Sequence, residues 1–201
     1  MKIRDLMVTD PITIYPDATI TEAIELMKTN SIRHLPVVNE DNNLRGFVTL
    51  ADLKRGLIPS MLSDLDLLDL MIIDPITIGP EDDIEIAAQL IYKHKISGMP
   101  VVLGDQLVGI LTESDILRAF IDMMGILTAS SRIDVAVKDE PGALKDALQI
   151  INDSGGDIIN VGMATLQNDK KVYYFRLSAC KTDPICRALE DNGYDVLNAT
   201  D

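Results

Sequence analysis

The sequence predicts an α+β chain: two copies of a small α/β unit in tandem, followed by a ferredoxin-like domain. Three observations carry this expectation. Displacing the chain by 64 residues lays MVTDPITIYP (Met7–Pro16) on MIIDPITIGP (Met71–Pro80), and 14 of the 32 positions in Met7–Val38 recur in Met71–Val102. GFVTLADLK at Gly46–Lys54 returns as GILTESDIL at Gly109–Leu117, 63 residues later. The last third does not repeat and reads strand-helix-strand-strand-helix-strand, the order of a split βαβ arrangement. The expected boundaries are 1–58 and 59–127 for the repeats, 128–132 for a small polar linker, and 133–201 for the last domain.

Each repeat reads the same way. A short apolar strand (Ile12–Ile14, Ile76–Ile78) ends near a proline. An amphipathic helix follows, with Ile20, Ala23, Ile24 and Met27 on one face in the first copy. Ile84, Ala87, Ala88 and Ile91 take those places in the second. Thr19 with Glu22 spells a capping box, and Asp83 is the expected cap of the second helix. Two strands come next, His34–Asn39 with Arg45–Thr49 and Met99–Leu103 with Gln106–Thr112, and Gly104-Asp105 suits a tight hairpin turn. A second helix begins after Thr49 and after Thr112. Such a unit leaves one face bare, so the copies are expected to pack on each other about a pseudo-two-fold.

In the last third, Ile133–Lys138 alternates as a strand and Leu144–Ile151 has a helical period. Ile158–Leu166 and Val172–Ala179 are expected to pair across the polar turn Gln167–Lys171. Asp183 as N-cap, Pro184 in the first turn and Gly193 beyond the end bound a last helix, and Tyr194–Ala199 closes as a strand.

Composition narrows the function. Net charge is −14, and the chain between Arg55 and Lys93 holds eight acids and no Lys or Arg. Such a surface repels phosphate backbones, so nucleic acid is not an expected partner. No apolar run approaches the roughly 20 residues that span a bilayer, and the first residues lack a signal-peptide pattern, so neither membrane nor export is expected and the setting reads as cytoplasmic. Two cysteines (Cys180, Cys186) and two distant histidines (His34, His94) offer no metal-ligand spacing, so no metal is expected. There is no Ser–His–acid set, no Gly-x-Ser-x-Gly, no P-loop and no dinucleotide fingerprint. No enzymatic activity and no required cofactor are expected.

The repeats resemble a pair of CBS motifs, whose signature is the Gly-apolar-apolar-Thr-x-x-Asp segment at Gly46–Asp52 and Gly109–Asp115. The last third resembles an ACT domain, through Asp139–Leu144 (DEPGAL) and Gly155–Asn160. The order, a tandem CBS repeat then a ferredoxin-like ACT domain, is similar to the bacterial acetoin-utilisation protein family.

The resemblance implies an adenosine-containing ligand, such as AMP, ADP, ATP or S-adenosylmethionine, in clefts between the copies. Asp52 and Asp115 would take the ribose hydroxyls, with Thr49 and Thr112 at the helix starts facing ribose or phosphate. Ile12, Ile14, Ile76 and Ile78 would flank adenine, and backbone groups at Thr13 and Thr77 would read its edge. Arg33 and His34, just before Leu35-Pro36, would meet phosphate. Ser97 and Gly98, before Met99-Pro100, replace those cations in the second copy, so the two sites are expected to differ in ligand or affinity. Read only as local structure, each Thr-x-x-Asp is a helix cap.

For the ACT domain, Asp139, Gly142, Ala143, Leu144 and Asn160 are the positions that match a small-ligand site, such as one for an amino acid. Pro141 opening a helix and Gly142 allowing close approach explain the same residues structurally. An open sheet edge implies a homodimer. The expected function is ligand-sensing regulation of an unidentified target protein; the alternative is a scaffold or dimerisation protein with empty CBS sites.

Overall fold

The computed structural model describes residues 1–56, 66–138, 140–165 and 171–201. The expected repeat boundary at 58/59 and most of the turn Gln167–Lys171 lie outside the described residues. The chain divides into two compact units, Met1–Arg118 and Ala119–Asp201.

In the first unit, β1 (Val8–Thr9) precedes α1 (Ile20–Thr29), the antiparallel pair β2 (His34–Val38) and β3 (Leu44–Thr49), and α2 (Leu50–Gly56). The second repeat follows with α3 (Leu67–Leu70), α4 (Ile84–His94), the antiparallel pair β4 (Gly98–Leu103) and β5 (Gln106–Thr112), and α5 (Glu113–Met123), whose last turns belong to the second unit. The helical periodicity holds: Ile20, Ala23 and Met27 of α1 and Ile84 and Ala87 of α4 are buried. Gly104 turns the β4–β5 hairpin at φ +64°. The expected strands at 12–14 and 76–78 shrink to single parallel bridges, Ile14 to Val37 and Ile78 to Val101. Each expected strand is preceded by Asp-Pro, Asp10-Pro11 with Asp10 at φ +50° and Asp74-Pro75, and proline brings no N–H to a ladder.

The copies exchange their leading segments. β1 of the first repeat pairs with β5 of the second, Val8 opposite Ile110, while Ile72 of the second bridges Phe47 in β3 of the first through two backbone hydrogen bonds of 3.0 and 2.9 Å. This crossing explains the signature glycines. A Cβ at Gly46 would lie 2.6 Å from Met71 Sδ and 3.1 Å from the Ile72 carbonyl oxygen. One at Gly109 would lie 2.7 Å from Met7 Sδ and 3.0 Å from the Val8 carbonyl oxygen. The glycines admit the exchanged segment. Leu67 likewise joins the core of Ile20, Ala23, Met27, Leu35, Val48 and Leu53, each large side chain contributing about 1.5–3 kcal/mol by burial.

The caps differ. Thr19 and Glu22 close the expected reciprocal box, with Thr19 N–H donating to Glu22 Oε2 at 2.8 Å. Asp83 is the N-cap of α4 but makes no side-chain cap bond, because its carboxylate is drawn to Lys2 Nζ at 2.9 Å.

In the second unit, β6 (Ser130–Val137), α6 (Ala143–Asp153), β7 (Ile158–Thr165), β8 (Lys171–Ser178), α7 (Asp183–Asp191) and β9 (Asp195–Thr200) form one antiparallel sheet in the order β7-β8-β6-β9. This is the ferredoxin-like order. Ile133, Val135, Val137, Phe175 and Leu177 meet Ala147, Ile151, Ile185 and Leu189 of the helices in one core. Residues 130–132, expected as linker, belong to β6: Ser131 is buried and accepts from Cys180 N–H at 2.8 Å. The N-cap of α7 is Thr182, one residue before the expected Asp183, and its backbone N–H and hydroxyl both donate to Asp201 Oδ1.

Candidate functional site

Strand exchange creates two clefts in the first unit, and each borrows from both repeats. The first, of about 470 Å³, is lined by Val8, Asp10, Pro11, Ile12, Ser31, Ile32, Arg33 and His34 of the first repeat and by Ile110, Thr112, Ser114 and Asp115 of the second. The second, of about 490 Å³, is lined by Phe47, Thr49, Ala51 and Asp52 of the first and by Ile72, Asp74, Pro75, Ile76, Lys95, Ile96, Ser97 and Gly98 of the second. Every lining residue of one cleft has its repeat-equivalent in the other, 63 or 64 residues away. Both volumes suit a small organic ligand.

The crossing decides which groups share a cleft. Arg33 and His34 face Thr112 and Asp115, whereas Ser97 and Gly98 face Thr49 and Asp52. In each helix start the Thr hydroxyl donates to the Asp Oδ2 at 2.6 Å, and the Thr backbone N–H donates to the same oxygen at 3.2 Å (Thr49) and 2.8 Å (Thr112). These are caps, as the local reading expects, and they also fix each carboxylate in a cleft wall. Because each Thr hydroxyl spends its proton on the neighbouring Asp, it can only accept from a ligand.

Six expected ligand contacts line neither cleft. Ile14 and Ile78 are core residues, bridged to β2 and β4. Pro36 and Pro100 are buried within those strands, opposite Phe47 and Ile110. Thr13 borders a shallow hollow with Tyr15 and Glu22, and Thr77 is outside both linings. The expectation assumed extended segments with all their groups toward the ligand; with one bridge each, only Ile12 and Ile76 face the clefts. Sequence reasoning missed Asp10, Asp74, Ser31 and Lys95. The repeat itself was the available signal, since Asp10-Pro11 recurs as Asp74-Pro75 and Ser31 stands where the second copy has Lys95. Lys95 gives the second cleft a cation, its Nζ 4.4 Å from the Tyr92 ring centroid.

His34 is buried, with Nε2 2.7 Å from Ser97 Oγ and its ring stacked on Phe47 at 5.8 Å between centroids. Burial first, and then neighbouring Arg33, push its pKa below the ordinary histidine value; Glu113, Asp115 and Asp52 pull the other way.

Of the residues expected to form the second unit's site, Asn160 lines a different cavity from the hollow beside Ala143. Asp139 lies outside the described residues. Gly142, at φ +95°, is the N-cap of α6, Leu144 packs on the core, and the Ala143 carbonyl accepts from Tyr194 Oη at 2.8 Å. Asn160 is on β7, donating to the Met123 carbonyl at 2.9 Å beside a separate cavity of about 250 Å³. A polar hollow does adjoin Ala143, with Lys138, Glu140, Asp146 and Asn192 in its walls. Among the described residues, no His, Cys, Asp and Glu cluster could hold a metal ion, and no helix is long and apolar enough to cross a membrane.

Comparison with known proteins agrees with the fold. The CBS domain family model matches residues 3–58 and 66–122, more than half of the chain, and the chain belongs to the CBS domain family as a tandem pair. The CBS domain pair of protein MJ0100, solved in complex with 5′-methylthioadenosine and S-adenosylmethionine, is 30% identical over 60% of this chain and 95% of that one, with a TM-score of 0.56. A putative acetoin utilization protein (AcuB) from Vibrio cholerae is 33% identical over 63% of this chain and 94% of its own, at 0.56. CBSX2 in complex with AMP is 26% identical over 60% of this chain and 96% of its own, at 0.54. A curated relative, the homoserine O-acetyltransferase of Methanocorpusculum labreanum, is 40% identical over 114 residues, but these span 56% of this chain and only 23% of that protein.

Proposed function

We propose that this CBS pair is a regulatory sensor of an adenosine-containing ligand and has no turnover of its own. One observation carries the reading: two equivalent clefts each set a helix-capped aspartate from one repeat against the apolar and cationic wall of the other. A carboxylate held by its cap presents its remaining acceptor capacity to vicinal ribose hydroxyls. The flanking Ile12 and Ile76 suit an adenine face. Arg33 and Lys95 supply the charge for a phosphate or carboxylate. The complexes of MJ0100 and CBSX2 support the same ligand class.

The ferredoxin-like order of the second unit suits the ACT resemblance, and for a zwitterionic ligand such as an amino acid we propose the hollow beside Ala143, whose walls include Lys138, Glu140 and Asp146. Edge strand β7 exposes Ile159, Val161 and Met163, which suits side-by-side pairing in a homodimer. Two free thiols suit a reducing, cytoplasmic setting.

A thermal-shift series with AMP, S-adenosylmethionine, 5′-methylthioadenosine and 2′-deoxy-AMP tests the central reading. A ligand at about 100 times its Kd adds roughly 2.7 kcal/mol and raises Tm by several degrees. The expected result is a ribose-dependent shift that Asp52→Ala and Asp115→Ala together abolish. No shift with any of the four would leave both aspartates as helix caps and favour a scaffold.

A further inference from the structure

We propose that the two clefts are energetically coupled through His34, which walls the first cleft while residues of the second hold it in place. The inference rests on the nucleotide reading and concerns how the two sites communicate.

His34 lines the first cleft, yet its fixed contacts belong to the second: Ser97 Oγ at Nε2 and the Phe47 ring against its face. Its repeat-equivalent is Gly98, and a Cβ there would lie 3.4 Å from both Cδ2 and Nε2 of the His34 ring. The equivalent of Ser97 is Arg33. The seam between the clefts therefore holds one imidazole and one hydroxyl where two-fold symmetry would demand two of each. Among the described residues no other hydrogen-bond partner engages the ring.

A serine hydroxyl carries one proton. Neutral His34, taken as the Nδ1–H tautomer, accepts at Nε2 and so commits that proton to the ring. An anionic group entering beside Arg33 favours uptake of a solvent proton by the ring, and the imidazolium Nε2–H must then donate to Ser97. The Ser97 O–H, which keeps its proton, is then free to donate to an acceptor atom in the second cleft. Glu113, Asp115 and Asp52 also favour the imidazolium, and Arg33 opposes it until an anion offsets its charge. Filling the first cleft thus tightens the second, and reciprocity requires the converse.

Calorimetric titration of AMP tests this. The single-cleft variants Asp52→Ala and Asp115→Ala give the affinity of each cleft alone, and independent clefts would make the wild-type isotherm their sum. The expected result is a second equivalent bound at least about fivefold tighter than that sum. In a Ser97→Ala background, compared with its own single-cleft variants, the excess disappears. A wild-type isotherm equal to the sum overturns the coupling and leaves the nucleotide reading standing. An excess that survives both Ser97→Ala and His34→Asn overturns the route through His34. No AMP binding by any of the proteins overturns the nucleotide reading for this probe, and the inference with it.

Discussion

In the first cleft the cation is Arg33, with His34 beside it; in the second it is Lys95, with Ser97 and Gly98 in the equivalent places. The anchors, by contrast, repeat: Asp115 and Asp52, Thr112 and Thr49, Ile12 and Ile76, Asp10 and Asp74. Backbone architecture and the capped aspartates come twice from one pattern, whereas the charged wall differs between the copies. Ribose recognition should therefore be common to both clefts, and discrimination among phosphates and other tails should separate them.

The largest effect that would break this comparison is loss of an anchor. With its charged acceptor removed, Asp115→Ala should weaken first-cleft binding roughly 100-fold while the second cleft still fills, and Asp52→Ala should do the reverse, as calorimetric stoichiometry would show. Next comes the crossing itself. Gly46→Ala and Gly109→Ala each press a Cβ on an exchanged carbonyl and should each cost about 1–3 kcal/mol in urea denaturation. If only one did, the exchange would be unequal. Arg33→Ala should weaken AMP in the first cleft about tenfold while hardly affecting adenosine there, and Lys95→Ala should do the same in the second.

A smaller effect follows from the one buried histidine. Its folded-state pKa is depressed, so the unfolded chain takes up the proton first as pH falls below about 6.5, and stability present above that value is lost on acidification. Tm should fall more steeply below about pH 6.5 in the wild type than in His34→Gln. The smallest contrast lies in the caps: Thr19→Ala should cost about 1 kcal/mol, whereas Asp83→Ala, which loses only an exposed ion pair with Lys2, should leave stability nearly unchanged.

Much of this was legible in the residues. Periodicity placed the helices because burial of Ile20, Ala23 and Met27 is a local consequence of a 3.6-residue repeat. The β-pairs could be read because β-branched runs flank polar turns. The order of the last six elements sufficed for the ferredoxin-like topology. What failed were inferences that needed a partner segment. Ile14 and Ile78 read as cleft residues until their bridges to β2 and β4 turned them into the core. Asp83 holds its expected N-cap position, but its carboxylate goes to Lys2 and makes no side-chain cap bond. Which cations face which aspartate was open, because exchange of the β1 segment is a tertiary choice that leaves the local pattern unchanged. The signature glycines held the clue: a residue without a side chain in a strand marks close approach of another backbone.

The crosswise pairing of Arg33 with Asp115 is the central claim, and a double-mutant cycle on AMP affinity tests it most directly. In Asp52→Ala protein, where only the first cleft works, adding Arg33→Ala should weaken binding about tenfold. In Asp115→Ala protein, where only the second works, the same substitution should not weaken binding. The opposite pattern, with Arg33 mattering only while Asp52 is intact, would show that each repeat builds its own site and would contradict the exchanged architecture.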